Sequence, residues 1–196
     1  MTAVITALSD ELDDETLMLR YRDGDTAAFS DLYHRHKGSL YRYLLRQCNQ
    51  ETLAEELFQD VWLTLIRQRA GYQVRARFTT YLYRLARHRL IDSLRRNRRR
   101  AEYLADDDPD TLDTLAADPR WQPEQQTDSA LLADRLLAAL GTLPDVQREV
   151  FLLRAEAGLS LEEIADVTGV TRETAKSRLR YALDKLRHRL ETVNEK

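Results

Sequence analysis

Glu173, Lys176, Ser177 and Arg180 stand at i, i+3, i+4 and i+7, so on a helix they share one face. Arg and Lys pair with the acceptor atoms of guanine, and Glu accepts from cytosine, so such a face can read base edges in a duplex groove. Arg172, Arg178 and Arg187 flank it and suit phosphates or the groove walls. The chemistry indicated here is non-covalent recognition.

Covalent chemistry finds little support. Cys48 is the single cysteine, so no internal disulfide forms, and no Cys/His cluster has metal-ligand spacing. Asp106, Asp107, Asp108 and Asp110 lie together but lack the glycine turn and bidentate glutamate of a calcium loop. The four histidines have no motif around them, and no Ser/His/Asp or Cys/His arrangement is discernible. The chain is read as a non-enzyme without metal or cofactor.

A base-reading helix needs a scaffold that fixes its angle. Ser160 followed by Glu163 forms a capping box that opens a short helix, LEEIADVTG. Gly169 falls where a tight turn needs positive φ, and Thr171 can cap the next helix, RETAKSRLRYALDKLRHRL. Small Ala165 lets two helices approach closely. Ala175, Leu179, Ala182 and Leu186 make the buried face of the last helix, opposite the reading face. Together these signals spell a helix-turn-helix, though solvated charges on a packed hairpin would also carry the basic face.

Upstream, apolar residues recur three and four apart, only six Gly and four Pro interrupt 196 residues, and no alternating strand is found, which predicts an all-α chain. Asp13 or Asp14 caps a short helix that Asp23-Gly24-Asp25 breaks. A second helix from Thr26 turns Phe29, Leu32, Tyr33, Leu40, Tyr43 and Leu44 inward, with Gly38 a weak point. From Glu51 to Arg69, Leu53, Leu57, Val61 and Leu65 stand four apart, broadened by Ala54, Phe58 and Trp62. A further helix puts Leu82, Leu85, Ala86 and Leu90 on one face and Arg84, His88 and Arg95 on the other.

The net charge of −3 conceals strong segregation: residues 101–128 carry nine acids against one Arg, so the rest of the chain is basic and compatible with nucleic acid. Two small helical domains are expected, at 13–100 and 129–196, joined by a flexible acidic linker at 101–128 and preceded by a disordered tail at 1–12. No signal peptide and no run of about 18 apolar residues is found, which predicts a cytoplasmic chain without membrane insertion.

The stretch LPDVQREVFLLRAEAGLSLEEIADVTGVTRETAKSRLRYALDKLR resembles region 4 of sigma-70 family RNA polymerase sigma factors, which reads the minus-35 element. DGDTAAFSDLYHRHKGSLYRYLLR, AEELFQDVWLTLIRQ and FTTYLYRLARHRLIDSLRR look, in that order, like region 2 of the extracytoplasmic-function group. The two blocks cover nearly the whole chain outside tail and linker. The resemblance implies that the helix around Ala54–Leu65 docks on the clamp of the largest polymerase subunit, through Glu55, Glu56, Gln59 and Asp60 with Phe58 and Trp62 as apolar edges. It implies that Tyr72, Arg75, Arg77, Phe78, Tyr81, Arg84, Arg87, His88 and Arg95 open and hold the minus-10 strand, aromatics stacking on unpaired bases and arginines neutralising phosphate. Phe78 and Tyr81 equally suit a core. For minus-35 the implied set is Arg172, Glu173, Lys176, Ser177, Arg178, Arg180 and Tyr181.

This chain departs from the family pattern at Tyr81, commonly Trp, at His88, commonly Asn, and at Tyr181, often Arg, so its promoter motif cannot be copied from a relative. Arg95, Arg96, Arg98, Arg99 and Arg100 form a cationic cluster suited to upstream phosphate or to a solvated helix end. The acidic linker either threads a basic polymerase channel or screens these arginines. Implied partners are core RNA polymerase, at its clamp and at the flap of the second-largest subunit, promoter DNA and an anti-sigma factor. The alternative is a dimeric helix-turn-helix regulator that binds duplex tightly without polymerase; the AEELFQDVW block favours the sigma reading.

Overall fold

The computed structural model describes residues 12–107 and 128–193, and within them the chain is helical, with no strand. Helix α1 (Asp14–Arg22) starts where Asp13 Oδ1 accepts from the Thr16 N–H at 2.7 Å. Asp25 then caps α2 (Thr26–Cys48) by accepting from the N–H groups of Ala27 and Ala28. α2 runs unbroken through Gly38, because Leu32 before it and Leu40, Tyr43 and Leu44 after it are all pinned in the core. It ends at Asn49, whose φ of 53° turns the chain into α3 (Glu51–Gln68).

A 3-10 turn (Arg69–Gly71) and a short loop lead to α4 (Phe78–Asp107). α1 packs on α2, α2 on α3 and α3 on α4. Leu17, Met18, Leu57, Val61, Leu65 and Leu82 fill the space between them with essentially no exposure. Each such side chain contributes about 1.5–3 kcal/mol on burial. α4 continues seven residues beyond Arg100 into the acidic segment, since Ala-Glu-Tyr-Leu-Ala is a run of tolerable helix formers.

The second domain contains α5 (Asp128–Gly141), α6 (Asp145–Ala155), α7 (Leu161–Thr168) and α8 (Arg172–Val193). α5, α6 and α7 all pack on α8, burying Ala175, Ala182 and Leu186 with Val150, Leu152, Leu153 and Ile164. The two domains also touch, α2 against α6 and α4 against α7. Of the expected linker, 108–127 lies outside the described residues, as do 1–11 of the expected tail. Leu12, the last residue assigned to that tail, is described and packs against the core, its carbonyl accepting from Arg35 Nη1 at 2.8 Å.

Candidate nucleic-acid interface

The helix-turn-helix is assembled by side-chain oxygens at two helix starts. Ser160 Oγ accepts from the Glu163 N–H at 3.2 Å while Glu163 Oε2 accepts from the Ser160 N–H at 2.8 Å, closing the capping box. Gly169 ends α7 with φ of +70°, a conformation costly for any residue with a Cβ. Thr171 Oγ1 then accepts from the Thr174 N–H at 3.2 Å and sets the start of α8.

On α8 the structure turns Arg172, Glu173, Lys176, Arg180 and Tyr181 outward and leaves Ser177 and Arg178 half-buried. Arg172 bridges to Glu162 and Glu173, and the Arg180 guanidinium lies over the Tyr181 ring at 5.0 Å. Tyr181 therefore presents a flat, cation-backed ring at 50% exposure, where a base edge or a thymine methyl can lie against it.

In the first domain the loop after α3 and the start of α4 enclose an open cavity of about 550 Å³. Arg67, Gln68, Gln73, Arg75, Tyr81 and Arg84 are among its walls. Amide groups, guanidinium groups and an aromatic face around one concavity can take a base out of a strand and hold its phosphates. Gln73, Val74, Arg75 and Arg77 are exposed, as are His88 and Arg95 farther along α4, while Tyr81, Arg84 and Arg87 are half-buried. Arg67, Gln68, Gln73 and Val74 had not been singled out. Their signal was only adjacency to the loop, which sequence periodicity does not read.

Three residues expected at contact surfaces are buried. Phe78 has no exposed surface: its ring packs on His36 at 5.3 Å between centroids, and its N–H donates to Glu15 Oε1. Tyr72 is 5% exposed, its ring edge-on to Tyr81 at 5.3 Å, and burial raises its hydroxyl to about 12. Both rings are core that supports Tyr81 from behind, so neither presents a stacking face. Trp62 is likewise buried, at 4%, among Phe29, Tyr33 and Phe58.

The acidic face of α3 keeps Glu55, Glu56 and Gln59 exposed, with Asp60 and Phe58 half-buried. Its apolar element is Leu63, 44% exposed and set at i+7 from Glu56 and i+4 from Gln59. That spacing was available in the sequence, but Leu63 lies off the four-residue stripe that marks the core.

Electrostatics tie the two domains together. Glu163 Oε1 accepts from the Thr80 hydroxyl at 2.9 Å, with Arg77 at 3.7 Å. Burial opposes its ionisation, but the Ser160 donors, Thr80 and Arg77 together hold this carboxyl below its ordinary value. Arg84 pairs with Asp166 and Arg87 Nε with Glu149 at 2.8 Å. Among the described residues no group of His, Cys, Asp and Glu could hold a metal ion, and no helix is long and apolar enough to cross a membrane.

Residues 32–100 match the family described as Sigma-70 region 2, and residues 139–188 match Sigma-70, region 4. The RNA polymerase sigma factor CarQ of Myxococcus xanthus is 34% identical over 173 residues, spanning 88% of this chain and 95% of that protein. The ECF RNA polymerase sigma factor RpoE of Cereibacter sphaeroides is 33% identical over 194 residues, spanning 95% and 99%. Among solved structures, the sigma factor RpoE in complex with the anti-sigma factor NepR from Bartonella quintana shares the fold at a TM-score of 0.70 and 21% identity, over 83% of this chain and 96% of that one. CnrH, solved with the cytosolic domain of CnrY, superposes with a TM-score of 0.65 at 22% identity, over 91% and 97%.

Proposed function

This chain belongs to the sigma-70 family of RNA polymerase sigma factors, in its extracytoplasmic-function group, and from that premise we propose how its residues divide the work of promoter recognition. As a member it is a transcription initiation factor that binds core RNA polymerase and directs it to promoters, with no covalent catalysis of its own. The domain at 13–100 serves as region 2 and that at 129–196 as region 4, with 101–128 between them.

In this reading Glu55, Glu56, Gln59 and Asp60, with Phe58 and Leu63, meet the basic clamp of the largest subunit. Charge complementarity speeds and orients that docking. Tyr81 stacks on an unpaired minus-10 base at the mouth of the loop cavity, while Arg75, Arg77, Arg84, Arg87 and Arg95 hold strand phosphate and His88 contacts the base edge. Upstream, Glu173, Lys176, Ser177, Arg180 and Tyr181 face the minus-35 base edges, and Arg172 and Arg178 take phosphate. The flap of the second-largest subunit carries the second domain. Requiring both DNA contacts together raises specificity by effective concentration. The site of action is the cytoplasm, and regulation by an anti-sigma protein, the partner with which the Bartonella factor was solved, is extended to this chain.

What supports this division best is the presence on one chain of a capped helix-turn-helix with an outward basic face and a loop cavity lined by cations and one accessible ring. The test is co-purification with core polymerase and run-off transcription from a promoter library, with Glu56→Arg and Asp60→Arg as interface controls. Core binding lost in the controls, with promoter-specific transcripts from the parent, is the expected result. Tight duplex binding without any affinity for core polymerase would overturn it.

A further inference from the structure

α1, α2 and α7 each start on a side-chain acceptor supplied from within three residues, by Asp13, Asp25 and Ser160. α4 has no such local group. The side chain of Arg77, the residue before it, carries only donors, and the Arg77 carbonyl is taken by the Tyr81 N–H. The first N–H of the helix, that of Phe78, is met instead by Glu15 Oε1, from α1 and 63 residues earlier in the chain. A carboxylate at this place satisfies an orphan donor and faces the positive end of the helix dipole. Glu15 is itself held. Its neighbour Asp14 pairs with His36 at 2.6 Å and accepts from Arg35 at 2.9 Å, and the His36 ring packs on Phe78. α1 is thereby pinned to α2 beside the start of α4. Tyr81 lies one turn along α4, its ring 6.4 Å from that of Phe78 and 5.3 Å from that of Tyr72. Both of those rings are buried in close packing, so the direction of the free Tyr81 face follows from where the first turn of α4 is anchored.

We propose that Glu15 is a positioning residue for minus-10 strand capture: capping α4 from α1, it fixes the turn from which Tyr81 and Arg84 wall the loop cavity. The proposal rests on the reading of Tyr81 as the stacking surface. A carboxylate open to that cavity would repel strand phosphate. This one is half-buried, is engaged by the Phe78 N–H and does not line the cavity, so it acts through the helix and not on the strand. A helix end that loses its cap frays, and a frayed first turn spreads Tyr81 over orientations of which few can stack. Binding then has to order the ring as well as contact it, which weakens the complex without removing any contact.

The test uses the full chain bound to core polymerase, with anisotropy of a labelled minus-10 non-template oligonucleotide reading strand affinity. Glu15→Ala is expected to lower that affinity on the order of tenfold, as for a stacking-competent state cut to about a tenth of the molecules. Glu15→Gln should bind close to the parent, because its amide oxygen still accepts from the Phe78 N–H. The control for stability is Asp25→Ala, which removes the cap of α2 and lowers Tm, while the partners of Asp25 lie on α1 and α2 alone. It should leave strand affinity unchanged. In the Tyr81→Leu background Glu15→Ala should cause no further loss, since both changes act through one ring. Parent-like affinity in Glu15→Ala overturns the proposal, as does an equal loss in Asp25→Ala, which would make the effect one of stability alone. Additive losses in the double variant overturn it too, by placing the action of Glu15 away from Tyr81. If Tyr81→Leu itself binds strand as the parent does, the stacking reading fails and the positioning role falls with it. A loss in Tyr81→Leu beside parent-like binding in Glu15→Ala refutes the positioning role alone.

Discussion

Phe78 and Tyr81 lie three residues apart on the first turn of α4 and are assigned opposite roles, which makes them separable by substitution. Phe78 has no exposed surface, so Phe78→Ala removes a buried ring and leaves a cavity, at a cost of about 3–5 kcal/mol. In a domain of this size each kcal/mol lowers Tm by about 4–8 °C, so that variant melts far below the parent. Phe78→Leu keeps most of the volume and costs about 1–2 kcal/mol, leaving a folded protein to assay. Tyr81 is half-buried with one face available, so Tyr81→Leu forfeits base stacking worth about 1–3 kcal/mol, a loss of about 5- to 150-fold in strand affinity. Tyr81→Phe retains the ring and should bind as the parent does. The assay is anisotropy of a labelled minus-10 non-template oligonucleotide with the core polymerase complex, alongside thermal melting of the free chain. If Phe78→Leu weakened strand binding as much as Tyr81→Leu while melting normally, the placement of Phe78 behind the stacking surface would be refuted.

Gly169→Ala should lower stability by about 1–2 kcal/mol, because its φ of +70° penalises a Cβ although nothing lies within 4 Å of one; thermal melting reads this. Asp14 accepts from His36 at 2.6 Å and Arg35 at 2.9 Å, and although burial pushes the other way, these partners hold its carboxyl below 3.8. Its folded value is depressed, so its contribution is fully present above 3.8 and fades as pH falls below that. Asp14→Asn should therefore cost about 1–3 kcal/mol at pH 7 and progressively less in denaturant melts below pH 4. Arg172→Ala, which removes a phosphate contact, should reduce by about 0.9 the slope of log affinity against log salt for minus-35 duplex held by the polymerase complex. An unchanged slope with altered base preference would assign it to a base edge instead.

Local signals carried most of the architecture. The capping box at Ser160 and Glu163, the left-handed turn at Gly169 and the Thr171 cap each involve atoms a few residues apart, so sequence spacing specified them. The buried stripe of α3 was legible because helical period and burial coincide there. Exposure of individual aromatics was not legible. Trp62, expected at a docking edge, and Tyr72 and Phe78, expected to stack, suit an exposed contact and a core equally well by type, and only the packing of α1 and α2 against them decides. Glu149, Glu156 and Asp166 drew no notice because their meaning depends on which arginines a separate domain brings to them, a relation over 60 or more residues of chain. Gly38 misled for a related reason, since helix propensity is a weak term beside a buried face on both sides.

Glu163 uses one oxygen to start α7 and the other to meet Thr80 of the first domain. The reading unit is therefore not an interchangeable cassette. A chimera that imports α7 and α8 from a relative lacking this glutamate puts a new residue opposite Thr80 and Arg77, and so alters how firmly the halves of the hybrid hold together. Swaps made within the outward face of α8 alone avoid this confounding, and the junction for such grafts belongs after Gly169.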